Sequence, residues 1–444
     1  MQNRMKPRTG GALIALAAGF VVAPAQAGPD LITADITTIS HYGEQDGIHA
    51  YSFGVTSCNL GDVVVDWLID SPAHPATAQH MYRVKNGRLE QIGLSFAAHT
   101  VVPLQGALCE TCTPADFQHL GVGCSNPNAS TILGSHTILG PREQINAATG
   151  AFPFPYTTSA GTGTIDRRLQ IPESKLTHDG DEVYYAEVQQ VAADDAQAGD
   201  SANNASARRV NLLVNDTFTV ADATQAGTSA LLAWAQTDPD VVIESFDIPD
   251  DGRIEVAGKA TDLGDGHWRY DYYVHNLDSH LSIGGVYVQV GSSSVSDVSF
   301  SAPQYHSGSP VDNQAWSLQP EAGTVWWTVG PYSPDVDQSA NAVRWGTTYS
   351  FSFVADREPR MVDTYFIPFR PTDLNGVAIP LPAPRPDCLA DLAEPFGQLD
   401  FSDVVAFLTA FGTMSPEADL AEPFGQWDFS DVVSFLVSFS GGCP

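Results

Sequence analysis

The amino-acid sequence predicts a mainly β protein in which two β-sandwich-like body domains precede a small α-helical tandem-repeat tail. Three observations carry that expectation. The 444 residues include 38 Gly and 30 Pro, which punctuate a chain that reverses direction often; the body is rich in Val, Thr, Ser and Tyr, residues that suit a pleated, half-buried surface. Several segments alternate apolar and polar side chains with the period of two that a strand requires. The last 57 residues instead write one unit twice at a spacing of 28, and each copy ends in an apolar pattern of helical period.

Taken in order, residues 1–27 carry the basic positions Arg4, Lys6 and Arg8, an apolar run from Ala12 to Val22, and the small-residue ending Ala25-Gln26-Ala27. That is the pattern of a secretory signal peptide with cleavage expected after Ala27. No other stretch has the roughly 18 apolar residues of a membrane span, so the expectation is a chain that is secreted or at the cell surface, with no membrane span. Net charge is −32, from 52 acidic against 20 basic residues, which argues against nucleic acid, whose phosphates need a positive footprint. Six Cys in an exported chain suit a disulfide set. Cys388 and Cys443 flank the repeat and are expected to pair; Cys58, Cys109, Cys112 and Cys124 then form two bridges of open connectivity. Zinc on Cys109, Cys112, Cys124 and His119 is the alternative.

The first body domain spans residues 28–235. Leu31 to Ser40 and Ile48 to Thr56 alternate as half-buried strands, and Val63-Val-Val-Asp-Trp-Leu-Ile69 reads as a third, more buried one. Lys85-Asn86-Gly87-Arg88 is a hairpin turn that sets Tyr82, Arg83 and Val84 opposite Leu89, Glu90 and Gln91. Polar side chains crowd this region, and 7 of the 16 Arg fall between residues 83 and 209. Two readings compete. In one, His74, His80 or His99 acts as acid, base or metal ligand while Arg83 or Arg142 clamps an anionic group. In the other, Arg83, Arg88, Arg142 and Arg167 pair with Glu90, Glu143 and Asp166 to organise a loop-rich, disulfide-stapled fold. Val183 to Val191 is a strand, and the oxygen-rich run Asp194 to Asn204 reads as a solvated loop in preference to a calcium loop.

The second body domain spans residues 236–372. Eight strands are expected: Val241 to Phe246, Arg253 to Ala260, His267 to Asn276, Ile283 to Val290, Val295 to Phe300, Ala315 to Leu318, Thr324 to Val329 and Thr347 to Ala355. That rhythm implies an antiparallel sandwich. Its Trp and Tyr residues suit core packing or, where exposed, stacking on sugar rings. The Pro-rich stretch within residues 373–386 reads as a stiff linker separating tail from body.

The tail occupies residues 387–444. Its copies are Asp391-Leu-Ala-Glu-Pro-Phe-Gly-Gln-Leu-Asp400-Phe-Ser-Asp403-Val-Val-Ala-Phe-Leu and Asp419-Leu-Ala-Glu-Pro-Phe-Gly-Gln-Trp-Asp428-Phe-Ser-Asp431-Val-Val-Ser-Phe-Leu. Each is an acidic loop feeding a helix. This unit resembles a dockerin, and more closely the GC-type dockerin-like tails of planctomycete secreted proteins, which end in Gly-Cys-Pro as Gly442-Cys443-Pro444 do. The resemblance implies Ca²⁺ bound at Asp391, Asp400 and Asp403, and at Asp419, Asp428 and Asp431, with a cohesin-like or other extracellular receptor as partner. Ala, Pro or Phe stands where two further oxygen ligands of such a loop belong. Helix capping by Asp400 and Asp403 is the competing account. Ser57-Cys58-Asn59, His74-Pro75, Tyr82-Arg83 and Gly121-Val-Gly-Cys124 resemble a body domain that accompanies such tails, which implies no activity.

The functional expectation is a secreted binding protein, assembled or anchored through its tail, whose body takes an extracellular ligand such as polysaccharide. The alternative is a polysaccharide hydrolase with the same tail. It would need two carboxylates facing one cleft; Glu90, Glu143, Asp166 and Glu187 are the candidates, with His99, Arg83 and Arg142 in support. Familiar motifs such as Gly-x-Ser-x-Gly and His-Glu-x-x-His are absent from the sequence.

Overall fold

Strands β1 (Leu31–Gln45) and β2 (Ile48–Asn59) are joined by Asp46-Gly47, both at positive φ (54° and 77°), the geometry of a tight hairpin turn. The computed structural model describes residues 28–442 apart from 100, 179, 322, 386–387, 394–397 and 422; the expected leader and Cys443 thus lie outside the described residues. A second hairpin joins β3 (Ala76–Lys85) to β4 (Arg88–Leu94) through Asn86-Gly87, in the expected register of Tyr82 with Gln91, Arg83 with Glu90 and Val84 with Leu89.

With β5 (Leu169–Pro172), β6 (Val183–Val191), β7 (Ala205–Leu212) and β8 (Phe218–Val220), these form the main path of an eleven-stranded sheet, ordered β1-β2-β5-β4-β3-β6-β7-β8. The sheet curls until its first strand meets its last ones. Ser206 Oγ donates to Thr33 O at 2.6 Å and Arg208 Nη1 to Ile36 O at 2.6 Å. Ile36, Phe53, Met81, Ile92, Val188 and Val210 are enclosed within the curl. One rolled sheet therefore stands where a two-sheet sandwich was expected, because alternation specifies strands but not how a sheet closes. The third strand expected at Val63–Ile69 shrinks to Val65–Asp66; Val65 and Trp67 are buried while Val63, Val64 and Ile69 are exposed. Cys58 pairs with Cys109 and Cys112 with Cys124, which consumes the thiolates of the zinc alternative.

The second unit is a pair of five-stranded sheets. Strands β9 (Val241–Asp247), β10 (Arg253–Gly264), β11 (His267–Asn276), β12 (Ile283–Gln289), β13 (Val295–Ser301), β14 (Ser317–Glu321), β15 (Thr324–Thr328), β16 (Thr347–Ala355), β17 (Pro359–Pro368) and β18 (Val377–Pro384) follow in sequence. One sheet runs β9-β10-β11-β16-β13 and the other β14-β15-β12-β17-β18. Tyr272, Val286, Trp327, Phe351, Phe366 and Leu381 fill the space between them.

Two of these ten strands lie outside the eight expected. The Pro-rich segment expected as linker is β18, an edge strand paired with β17. Alternation makes this possible: Pro380, Pro382 and Pro384 share one phase while Ile379, Leu381 and Ala383 occupy the other. A proline has no N–H to give, so it is tolerated where the ladder faces outward. The Pro382 carbonyl accepts from Tyr272 Oη at 2.8 Å instead.

Strand β11 is buried on both sides from Tyr270 to Asn276. Tyr270, Tyr272 and Val274 face the sandwich core; Tyr273 packs with Tyr82, Leu89, Tyr185 and Trp234 of the first unit. Asp271, His275 and the Ser352 hydroxyl of β16 complete that contact, with Arg88 Nε 2.8 Å from Asp271 Oδ1. The two units meet through this layer.

Candidate functional site

His80, Glu187 and Arg142, drawn from β3, β6 and the Arg142–Gln144 turn, converge inside the contact between the two units. His80 Nδ1 lies 2.8 Å from Glu187 Oε1, and Arg142 Nη1 lies 3.0 Å from His80 Nε2. Since a guanidinium only donates, Nε2 accepts and Nδ1–H donates a hydrogen bond to Glu187. His80 is therefore neutral. Burial drives its pKa down to about 4, and Arg142 adds to that against the opposing pull of Glu187. Burial alone would raise the Glu187 carboxyl, yet the bond from His80, with His275 and the Ala230 amide, holds it at about 2.

The relay continues outward from Glu187. Tyr82 Oη donates to Glu187 Oε1 at 3.1 Å and accepts from the Thr348 hydroxyl at 3.1 Å, which in turn lies 2.9 Å from His275 Nδ1. Arg142 also donates to the carbonyls of Ser95 and Trp345, and its guanidinium stacks 4.6 Å from the Trp345 ring. His80, Glu187 and Tyr82 are 0 % exposed, so the centre of this chain of groups, where it joins the two units, is sealed from solvent.

His74 and His99 belong to a separate aromatic cluster. Their rings lie 6.2 Å apart, with Trp67 against His74 and Phe152 and Tyr156 against His99. His74 Nδ1 faces Pro75 O at 2.6 Å, and its Nε2 accepts from Val101 N at 3.0 Å. Burial lowers His99 to about 4, and the neighbouring His74 adds to this. The three histidines thus divide between two enclosed groups.

A cleft of about 200 Å³ between the units is lined by Gln91, Lys175, Phe300, Ser301, Gln304 and Asn313 among others, and Glu90 lies behind it, bonded to two of the lining residues. Its carboxylate meets Lys175 Nζ, Arg83 Nη2 at 2.9 Å and the Ser301 hydroxyl at 2.9 Å. Burial would raise this carboxyl, but Lys175, then Ser301 and Arg83, bring it below the ordinary glutamate range. Glu90 is an ionised clamp rather than a proton donor. Two of the cleft's amides are already engaged: Gln91 bonds to Gly346 and Thr348, and Asn313 to Tyr305 at both ends.

The remaining charges distribute differently from the expected pairs. Arg83 does pair with Glu90, whereas Arg88 pairs with Asp271 and Arg167 donates to the carbonyls of Gly161, His136 and Ala160. Asp166 accepts from Gly163 N at 2.8 Å within its own loop, and burial raises the Glu143 carboxyl. Among the described residues, no recorded contact brings two of Glu90, Glu143, Asp166 and Glu187 together. Lys175 and Ser301 went unnoticed in the sequence because they reach Glu90 from 85 and 211 residues away.

In the tail, each copy supplies one helix, α1 (Phe401–Gly412) and α2 (Phe429–Gly441). Phe407 and Phe435 stack across the pair with centroids 4.2 Å apart and planes 10° from parallel. Asp403 Oδ1 accepts from Leu392 N and Ala393 N at 2.7 and 2.8 Å, and Oδ2 from Asp400 N at 2.8 Å. Asp431 does the same for Leu420, Ala421 and Asp428. Asp400 and Asp428 each cap the following helix by accepting from Ser402 N and Ser430 N. Asp419 Oδ2 takes Gly425 N at 2.6 Å. Among the described residues, no three His, Cys, Asp or Glu side chains group closely enough to hold a metal ion. Cys388 is buried in the tail core and is not a free thiol; its expected partner Cys443 lies outside the described residues.

No family model and no curated protein matches this chain. A solved structure described as the complete structure of manganese lipoxygenase of Gaeumannomyces graminis and partial structure of zonadhesin of Komagataella pastoris aligns at 10% identity. The alignment covers 80% of this chain and 94% of that one with a TM-score of 0.17, too low to carry an argument. No described helix is long and apolar enough to cross a membrane.

Proposed function

We propose that this is an exported binding protein whose duplicated, dockerin-like C-terminal unit docks to an extracellular receptor, with the two-unit body as its payload. The observation that carries the reading is an apolar ridge left open in both copies. Phe401 and Phe429 are each 77% exposed, and Val405 with Leu408, like Val433 with Leu436, line up one and two turns further along the same helices. Monomeric proteins rarely leave contiguous apolar surface uncovered, and such surface marks contact with a partner. After Arg385 the sequence has no Lys, Arg or His but carries ten Asp and Glu. The partner is therefore a protein face with an apolar centre and a rim of Lys and Arg, as a cohesin-like receptor would present.

Replacing Phe401 and Phe429 together by Asp in the full chain tests this. A receptor from the producing cell's surface fraction should bind wild type, weaken as salt rises, and be lost with the double variant at unchanged melting temperature. Equal retention of both proteins refutes the reading. Polysaccharide is the proposed ligand of the body, with the cleft beside Glu90 as its place; a glycan panel should give binding without release of reducing ends. Ca²⁺ enters only as a weak ligand at the loop starts, Asp391 and Asp419. It takes about six to eight oxygens, and the carboxylates of Asp403 and Asp431 already serve backbone N–H groups.

A further inference from the structure

Gly28, the residue directly after the expected cleavage point, is enclosed rather than loose. Gly28 N donates to Asp62 Oδ1 at 2.8 Å, Asp62 N returns a bond to Gly28 O at 3.0 Å, and Leu60 N bonds to Asp30 O at 2.8 Å. A Cβ at position 28 would stand 2.7 Å from the Ala198 Cβ and 3.8 Å from Asp200 Oδ2. The site thus has no room for a side chain at position 28.

Its surroundings carry surplus negative charge. Asp30 comes from the same segment, Asp62 from the loop after β2, Asp66 from the short strand Val65–Asp66, Asp194 and Asp195 from the helical turn Ala193–Ala198, and Asp200 from just beyond it. Leu31 N donates to Asp195 Oδ1 at 2.9 Å, Asp66 N to Asp194 Oδ2 at 2.6 Å and Asn203 Nδ2 to Asp30 Oδ1 at 3.0 Å. The one basic partner recorded for these six carboxylates, among the described residues, is His119, 3.5 Å from Asp66. Burial lifts Asp195 to about 7, with Asp30 and Asp194 adding, and lifts Asp200 with Asp30 adding. A group of acids so arranged lacks a cation.

We propose that cleavage of the Ala27–Gly28 bond supplies it: the freed Gly28 α-ammonium is received by Asp62, with Asp30 and Asp200 behind it. Water adds across the peptide bond under the leader protease. The Ala27 acyl carbon keeps the hydroxyl, the Gly28 nitrogen takes the hydrogen, and at neutral pH it takes one proton more. Before cleavage the same nitrogen is a neutral amide with a single N–H. The inference rests on reading residues 1–27 as a leader, and it makes processing a step that stabilises the exported fold.

The test uses the full exported chain. N-terminal sequencing should begin at Gly28, and competitive acetylation across pH should place the α-amine about one unit above its ordinary value of about 8. The sign of the linkage follows. A raised amine stabilises the fold fully below about pH 8, and the gain disappears as pH rises through the folded-state value. A chain with one Ala added before Gly28 should therefore melt several degrees lower at neutral pH, with the difference closing at high pH. Asp62→Asn should return the amine towards about 8 while the protein still folds. A terminus elsewhere overturns the proposal through the leader reading. A Gly28 terminus whose amine titrates normally, with no pH-dependent gap to the extended chain, overturns the ammonium site itself.

Discussion

Glu187→Gln is the sharpest test of how the two body units are joined. The carboxylate accepts from His80 Nδ1–H at 2.8 Å, Tyr82 Oη at 3.1 Å and Ala230 N at 2.7 Å, and it supplies the negative charge that Arg142 senses through the neutral His80 ring. A glutamine keeps the shape, but its amide must turn an N–H towards one of those three donors. Leaving a buried donor unmatched costs about 1–3 kcal/mol. Removing one partner of a buried charge pair costs about 3–5 kcal/mol, and the two effects overlap, so about 4 kcal/mol is expected. Urea unfolding followed by the fluorescence of Trp234 and Trp345, both buried at or beside this contact, measures it. The companion double variant Glu187→Leu with Arg142→Met removes both charges and should recover much of the loss. A single variant within about 1 kcal/mol of wild type, or a double variant no better than the single, would refute the relay.

Acid should loosen the same contact before it protonates Glu187. His80 is held at about 4 by burial, so between about pH 6.5 and 4 the unfolded chain takes up a proton that the folded one refuses, and stability falls by on the order of 3 kcal/mol; a flat urea midpoint across that window contradicts this. Leu381→Asp places a charge at a fully enclosed position of β18 and should cost more than about 3 kcal/mol, whereas no change in melting would return the segment to being a linker. Glu90→Gln should cost about 1–2 kcal/mol through its bonds to Lys175 and Arg83 and leave any glycan turnover unaltered; abolished turnover would revive the hydrolase. Asp403→Ala should unwind α1 by roughly 1–2 kcal/mol with or without EDTA, and a loss seen only with calcium present and abolished by EDTA would assign that carboxylate to calcium.

Local order was legible wherever a short-range rule acts. The Asn86-Gly87 turn, the alternation of His267 to Asn276 and the exact repeat of the tail each declare themselves within a few residues. The segment Val377–Pro384 did not, because its prolines argue for a spacer until one sees that they fall on every second position. Val63 to Ile69 failed for the opposite reason: an apolar run looks buried, yet only Val65 and Trp67 point inward. The relay was out of reach. His80 meets Glu187 across 107 residues and Tyr82 meets Thr348 across 266, and no period in the sequence records which strand covers the far face of another. Glu187 and Gln189 share one face of β6 and are enclosed because the sandwich lies over that side, where Gln189 donates to Leu277 O; Gln190, on the opposite face, is enclosed inside the rolled sheet by Thr33 and Ser57.

Because β18 ends at Pro384 and the tail core begins at Cys388, three residues separate sandwich from repeat, a span of roughly 13 Å at full extension. Arg360 of β17 also sits 4.1 Å over the Phe424 ring, pinning the second copy to the sandwich rim. A receptor that grips the paired helices would therefore dictate the heading of the whole cargo, as a keyed plug does, rather than let it swing on a string. The prolines of the outermost strand also leave that rim short of donors for a stray strand.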